Sequence, residues 1–383
     1  MKTFHQPFGR SIMAVGFCCL LLSACTQNTN TSDSTSTDTT MTTTNGTDST
    51  AAQKMIKPTA PKPAWGQNMT DEMAAVIEKL MSYKVPPLPT LTAQEARTQK
   101  SFADAYKDVA AENNIVLTSN TDTTGKDISV AGGNIHLRIY TPKTGKASYP
   151  VIVYYRGGGW VITNLDTYGA SADAMATMAD AIVVSVDYRQ GPEFKYPTAH
   201  NDCFAAYEWV LKNAASIKGN PAKIAVMGES AGGNLAAAVS MMSRDKKIKM
   251  PLHQVLVYPI AGYNFSKASY IQNDSTAPLN AAGMKWFFTN YLNSPADGSK
   301  PLISLVTANV KGLPGTTIIS AEYDPLATEG KTLADKLTAA GVTTNYKLFN
   351  GTTHEFFGMA AVVPQAKDAQ MMAANDLKNA FSK

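Results

Sequence analysis

The 383-residue chain is short of cysteine, of charge and of long apolar runs, and each shortage removes a class of protein. Its four cysteines are Cys18, Cys19, Cys25 and Cys203. Three of them fall in the first 25 residues, so the remainder carries one thiol and no intramolecular disulfide framework. The apolar run Ile12–Leu22 is 11 residues long, whereas a bilayer-spanning helix needs about 20. Charged residues make up 17% with a net charge of +4, and no block of Lys and Arg is present to track phosphates. Nucleic acid is therefore excluded as the expected partner. Gly157-Gly158-Gly159 lacks the Gly-Lys-Ser/Thr of a phosphate loop, and no G-x-G-x-x-G follows a strand. His354-Glu355 begins like a zinc-protease motif, but Gly358 stands where its second His would be. No cofactor and no metal are implied. What is present is 44% hydrophobic residues, enough for a sizeable globular core.

The N-terminus reads as an address and a tether. Lys2 and Arg10 precede Ile12–Leu22, the charged and apolar regions of a signal peptide over residues 1–24. Leu22-Ser23-Ala24-Cys25 resembles the lipobox of bacterial lipoproteins. The resemblance implies cleavage before Cys25, acylation of that residue and attachment to a membrane, where more than one acyl chain anchors stably. Thr26 in place of Asp then favours the outer membrane, in a cell-envelope lipoprotein whose folded part lies outside the cytoplasm. From Thr26 to Gln53 the chain is nearly all Thr, Ser, Asn and Asp, too polar to offset the entropy of ordering. Pro58, Pro61 and Pro63 stiffen the approach to the folded part. Residues 25–64 are thus expected as a tether spanning roughly 30–35 Å, and residues 65–383 as one folded domain.

Apolar spacing of three and four predicts helices over 69–84 and 92–112, separated by Val85-Pro86-Pro87-Leu88-Pro89. With residues 65–115 they form an expected N-terminal helical cap. Ile128–Val130 and Ile135–Tyr140 flank Gly132-Gly133 as a hairpin. Val151–Tyr155, Ile182–Val186, Ile224–Met227, Val255–Val257 and Thr317–Ser320 are short and continuously apolar, as strands buried on both faces should be. Helical patterns at Asp202–Ala214, Asn234–Met242 and Thr328–Ala339 alternate with them. This is the signature of an α/β fold with a mostly parallel central sheet flanked by helices. Chemistry in such folds gathers at the carboxyl ends of the strands.

Gly228-Glu229-Ser230-Ala231-Gly232 fits G-x-S-x-G between a strand and a helix, the arrangement of a nucleophile elbow. With Ser230 as nucleophile, an acid and then a His should come later in chain order. Of five histidines, His5, His136 and His200 precede Ser230, and His253 sits beside the next strand. His354, in a loop after the strand-like Tyr346–Phe349, is the expected general base. Asp324, at the exit of Thr317–Ser320, is the expected acid, with Glu322 as its competitor. Cys203 reads as a core residue in a helix rather than as a nucleophile.

Together with Asp187-Tyr188-Arg189, Pro192-Glu193, Asp202 and Asp324-Pro325-Leu326, these residues resemble the hormone-sensitive-lipase family of α/β-hydrolases, or bacterial family IV esterases. The likeness runs from about Met69 to the C-terminus. It implies the α/β-hydrolase fold, hydrolysis of small, short-chain acyl esters through an acyl-enzyme, and backbone oxyanion donors at Gly157, Gly158 and Ala231. Trp160, Tyr188, Phe356 and Phe357 are candidates for the acyl pocket. The family's His-Gly-Gly-Gly loop reads Arg156-Gly157-Gly158-Gly159 here. Arg cannot accept a hydrogen bond, and a buried one needs a carboxylate. Loop rigidity is thereby in question, and Arg156→His is expected to leave activity equal or better. The same departure keeps open a non-catalytic ligand-binding lipoprotein on a hydrolase scaffold. Oligomeric state is unspecified by any of these features.

Overall fold

The computed structural model describes residues 55–383. The signal peptide, Cys25 and most of the expected tether lie outside the described residues. At the end of the tether, Ala60 N–H donates to Glu78 at 2.9 Å and Thr59 also bonds that carboxylate.

Helix α1, Asp71–Ser82, is capped by the Thr70 side chain and buries Met73, Ala74, Val76 and Ile77, the face its periodicity predicts. The helix expected over 92–112 is broken into α2, Ala93–Arg97, and α3, Phe102–Glu112. The cause is local. Thr92/Glu95 and Ser101/Asp104 each form a complete capping box, and the second starts a new helix where the first would have continued.

The remaining elements are, in chain order, β1 (Thr121–Val130), β2 (Gly133–Pro142), β3 (Tyr149–Tyr155), α4 (Gly169–Ala179), β4 (Ile182–Asp187), α5 (Thr198–Asn213), β5 (Gly219–Glu229), α6 (Ala231–Asp245), β6 (His253–Val257), α7 (Ala268–Gln272), α8 (Ala281–Tyr291), β7 (Gly315–Tyr323), α9 (Ala327–Ala339), β8 (Thr344–Thr353) and α10 (Pro364–Phe381). The eight strands form one sheet in the order β1-β2-β4-β3-β5-β6-β7-β8. Strand β2 runs antiparallel to both its neighbours, and β3 to β8 are mutually parallel.

Alternation along β3 shows why its whole length is apolar. Val151, Val153 and Tyr155 belong to one cluster with Val210 of α5, Leu235 of α6 and Leu337 of α9. Ile152 and Tyr154 point the other way, into a cluster with Met73 of α1, Val109 of α3, Met175 of α4 and Leu377 of α10. With both faces covered there is no polar side to advertise, so the strand reads as one hydrophobic run. Cys203 lies fully buried in the first of these clusters. Its thiol is pushed well up by burial, which leaves it a packing residue. Among the described residues no helix is long and apolar enough to cross a membrane.

Candidate active site

Ser230 sits between the end of β5 and the start of α6 with φ 56° and ψ −118°. A non-glycine residue held there marks stored backbone strain. The turn closes because α6 comes very near the sheet: a Cβ on Gly232 would lie 1.9 Å from the carbonyl oxygen of Tyr155. Ser230 N–H donates to Val257 O at 2.9 Å, tying the elbow to β6.

Asp324 leaves β7 and His354 leaves β8, so neighbouring parallel strands bring residues 30 and 124 positions apart into contact. His354 Nδ1 is 2.7 Å from Asp324 Oδ2, and His354 Nε2 is 2.9 Å from Ser230 Oγ. A carboxylate only accepts, so Nδ1 carries the hydrogen and Nε2 is free to accept from the serine hydroxyl. The other carboxylate oxygen of Asp324 accepts from Leu326 N–H at 2.8 Å, which fixes its plane. Glu322 is spoken for elsewhere, accepting from Gly351 N–H at 2.6 Å. All three members of this chain are buried. Burial opposes charging of His354, but the Asp324 carboxylate outweighs it and holds the imidazole above its ordinary value of 6.5.

The other described histidines do different work. His200 bridges Tyr291 and Asn234 in the core, and burial pushes it down to about 4. His253 meets Thr317 at 2.8 Å and is likewise lowered to about 4 by burial. His136 pairs with Asp127 on the hairpin.

The Gly157–Gly159 loop runs past the serine. Gly158 has φ +97°, and a Cβ there would lie 2.3 Å from the carbonyl oxygen of Ile162, so only glycine fits. Among the described residues, the loop N–H groups of Gly157 and Gly158 donate to no backbone acceptor. The N–H of Ala231 opens α6, where the first helical donors have no partner within the helix.

Arg156 corrects the expectation of a loosened loop. Its guanidinium is buried and reaches Ile162 O and Thr163 Oγ1 at 3.2 Å each, Asp187 Oδ1 at 3.1 Å and Tyr188 O at 3.3 Å. It also lies 4.4 Å from the centre of the Tyr188 ring. Thr163 Oγ1 in turn donates to Gly157 O at 2.9 Å. The carboxylate that a buried Arg requires is Asp187, and the network braces the loop. A two-nitrogen imidazole cannot span these four acceptors, so Arg156→His is now expected to cost activity.

Ser230, His354 and Gly158 open onto a cleft of about 680 Å³, a size typical of small-molecule sites. Its walls come from Leu80 and Phe102 in the cap, and from Leu279, Met284 and Phe287 in and before α8. The aromatic residues expected on the wall are elsewhere. Trp160 stacks on Tyr291 at 4.8 Å behind the loop, Tyr188 donates to Arg156 O at 3.0 Å, and Phe356 packs on Phe349 with Phe357 in the same buried cluster. Their aromaticity serves packing, and Phe287, 57 residues beyond Ser230, was not singled out in advance.

Two buried acids also escaped the sequence reading. Glu229, the last residue of β5, accepts from Tyr154 and Tyr258 hydroxyls at 2.5 Å each, and burial raises its carboxyl. Glu355 accepts from Tyr168 at 2.7 Å. A charged residue ending an apolar strand was the available sign for Glu229. For Glu355 the only sign was its place beside His354.

Comparison with known proteins gives a consistent picture. Residues 152–358 match the model of a family described as the alpha/beta hydrolase fold. The carboxylesterase NlhH of Mycobacterium tuberculosis is 38% identical over 252 residues, 65% of this chain and 79% of that protein. An ethyl acetate hydrolase of Pseudomonas putida is 29% identical over 300 residues, 77% of this chain and 92% of that protein. Among solved structures, a thermostable esterase from Pseudomonas putida ECU1011 aligns with a TM-score of 0.75 at 30% identity, covering 82% of this chain and 98% of that one. The esterase of Pyrobaculum calidifontis aligns with a TM-score of 0.72 at 32% identity, covering 78% and 96%.

Proposed function

The chain belongs to the α/β-hydrolase fold family, as a carboxylic ester hydrolase of the hormone-sensitive-lipase type, and on that premise we propose that it cleaves short-chain acyl esters through a Ser230–His354–Asp324 triad. The observation that carries the proposal is the unbroken hydrogen-bond chain from Asp324 through His354 to Ser230 at the floor of the cleft.

Ester bound in the cleft presents its carbonyl carbon to Ser230 Oγ. His354 Nε2 takes the hydroxyl proton as the C–O bond forms, and Asp324 stabilises the imidazolium. The developing oxyanion points toward the N–H groups of Gly157, Gly158 and Ala231, each such donor being worth about 3–4 kcal/mol in related sites. Collapse expels the alcohol, which takes the proton from Nε2. Water then repeats the sequence against the acyl-enzyme and releases the acid.

The short-acyl reading is supported by the relative named for ethyl acetate hydrolysis and by a cleft of about 680 Å³ walled by both the cap and α8. Turnover of p-nitrophenyl butyrate by wild type and Ser230→Ala tests the nucleophile; equal rates in the two would end the proposal. A series of acyl esters from two to twelve carbons tests the chain length, with kcat/KM expected to fall toward the long end.

The same proposal extends to location. Cys25, acylated after cleavage of residues 1–24, would hold the hydrolase domain on the cell-envelope membrane, favouring the outer one, and outside the cytoplasm.

A further inference from the structure

We propose that Glu355 is a further catalytic residue, whose carboxylate accepts a hydrogen bond from the second O–H of the water that attacks the acyl-enzyme and so holds that water against His354. The inference rests on the triad reading above.

Glu355 has a backbone conformation that its residue type disfavours, φ 72° and ψ 7°. Glycine would occupy this left-handed position without steric cost. Residues held this way persist where their surroundings over-determine them, and they cluster at functional sites. Its side chain is buried yet borders the cleft that contains Ser230 and His354. One carboxylate oxygen, Oε1, accepts from Tyr168 at 2.7 Å and lies 3.8 Å from His354 Nε2. The other, Oε2, is buried with no hydrogen-bond partner. An orphaned carboxylate oxygen is costly in a folded protein and calls for an explanation.

The other oxygen, Oε1, which has a lone pair left after Tyr168, is the one placed to share a water with the imidazole. With hydrogen bonds of about 2.8 Å, two acceptors 3.8 Å apart subtend roughly 85° at a shared water oxygen. That is near the angle between the two O–H bonds of water, so one molecule can serve both acceptors. Once acylation is complete, Ser230 Oγ is bound to the acyl carbon and Nε2 has given its proton to the departing alcohol. A water bridging Nε2 and Glu355 has both hydrogens engaged and a lone pair left for the carbonyl carbon.

The step then balances. The water oxygen bonds to the acyl carbon as one proton passes to Nε2. The tetrahedral intermediate collapses with cleavage of the C–Oγ bond, and Nε2 returns that proton to Ser230 Oγ as the carboxylic acid leaves. Glu355 accepts a hydrogen bond throughout and gains no proton, so it must be ionised to act. Burial, opposed by His354 and Tyr168 and reinforced by Glu229 and Asp324, holds its carboxyl at about 7.

An alcohol has only one hydroxyl hydrogen, and Nε2 needs it. Glu355 therefore assists water and not an alcohol, and it biases the acyl-enzyme toward hydrolysis over acyl transfer. The diagnostic is a change in partition that a merely structural side chain would not produce.

The test uses the full chain, p-nitrophenyl acetate and added methanol, comparing wild type with Glu355→Gln and Glu355→Gly. Glutamine keeps the volume and, with its carbonyl oxygen toward Tyr168, leaves only a neutral, weaker acceptor at the Oε1 position, while glycine removes the acceptor and suits the left-handed backbone, so loss of folding in one variant leaves the other informative. Both variants are expected to show a p-nitrophenol burst at a rate within about twofold of wild type, then a slowed steady state, by about tenfold or more in Glu355→Gly and by less in Glu355→Gln. The ratio of methyl acetate to acetate should rise by a similar factor. An unchanged product ratio, or burst and steady state slowed equally, would overturn the role of Glu355. Failure of the underlying triad reading would look different, as persistence of turnover in Ser230→Ala with no acyl adduct at residue 230 by mass spectrometry.

Discussion

Replacing Arg156 with Met removes a buried guanidinium while keeping an apolar stem of similar length. The losses can be taken contact by contact. Ile162 O keeps a donor, since Gln190 Nε2 reaches it at 2.6 Å. Asp187 has a side chain 42% exposed and can turn to solvent, so it is not stranded as a fully buried charge would be. Tyr188 O loses its side-chain donor, which costs about 1–3 kcal/mol if no water replaces it. Loss of the contact over the Tyr188 ring adds about 1 kcal/mol. Relief of the guanidinium's own desolvation offsets part of this. The net expectation is about 2–3 kcal/mol, a few degrees of melting temperature in a domain this size. Catalysis should suffer more. Thr163, which holds Gly157 O, loses its own anchor on Arg156. If that displaces one oxyanion donor, kcat falls about 10²- to 10³-fold. KM should hardly move, because the donors act chiefly on the transition state. The measurement is kcat and KM on p-nitrophenyl butyrate well below the melting transition, with thermal unfolding recorded alongside. A variant whose kcat stays within about twofold of wild type would refute the bracing role, since the loop would then hold its shape without the guanidinium.

The same geometry carries further expectations. Because His354, as the proposed general base, must be neutral to accept a proton and is held above 6.5 by Asp324, activity should rise with pH along a limb centred above 6.5. Asp324→Asn removes the charge that raises it, so the limb should move down in pH while kcat collapses; a pH–rate profile of both proteins decides this. Gly232→Ala forces a methyl group to within 1.9 Å of Tyr155 O, and the expected outcome is loss of soluble folded protein, read from yield and circular dichroism. A Gly232→Ala protein melting like wild type would contradict the close packing of α6. Cys25→Ser should release the full-length chain from the membrane fraction and abolish incorporation of labelled fatty acid; retention of both signals would dismiss the lipid anchor.

Much of this site could be read in advance because it is written locally. The elbow needs small residues packed around a serine between a strand and a helix, and Gly228–Gly232 states that within five positions. Strands β3 to β7 announce themselves as apolar runs because both faces of the sheet are covered. Once the nucleophile was placed, chain order left His354 as the suitable base. Capping was legible too, although it divided the helix over 92–112 instead of extending it, since Ser101 and Asp104 satisfy a helix start of their own.

The cleft wall and the charged residues behind the loop were not legible. Helix α8, which supplies Phe287, has aromatic residues on more than one side and no distinctive periodicity. Trp160, Tyr188 and Phe356 flank the reactive segments as pocket residues would, yet the loops that carry them bury their side chains in the core. Residue identity and local spacing thus made the buried strands, the elbow and Ser230 legible, because backbone sterics and short-range hydrogen bonds act over a few positions, and chain order then pointed to Asp324 and His354. Tertiary structure alone decided that Arg156 meets Asp187 across 31 residues and that Tyr168 meets Glu355 across 187. Whether a charge is stranded or satisfied depends on what the fold brings within about 3 Å of it, and no stretch of neighbouring residues carries that information.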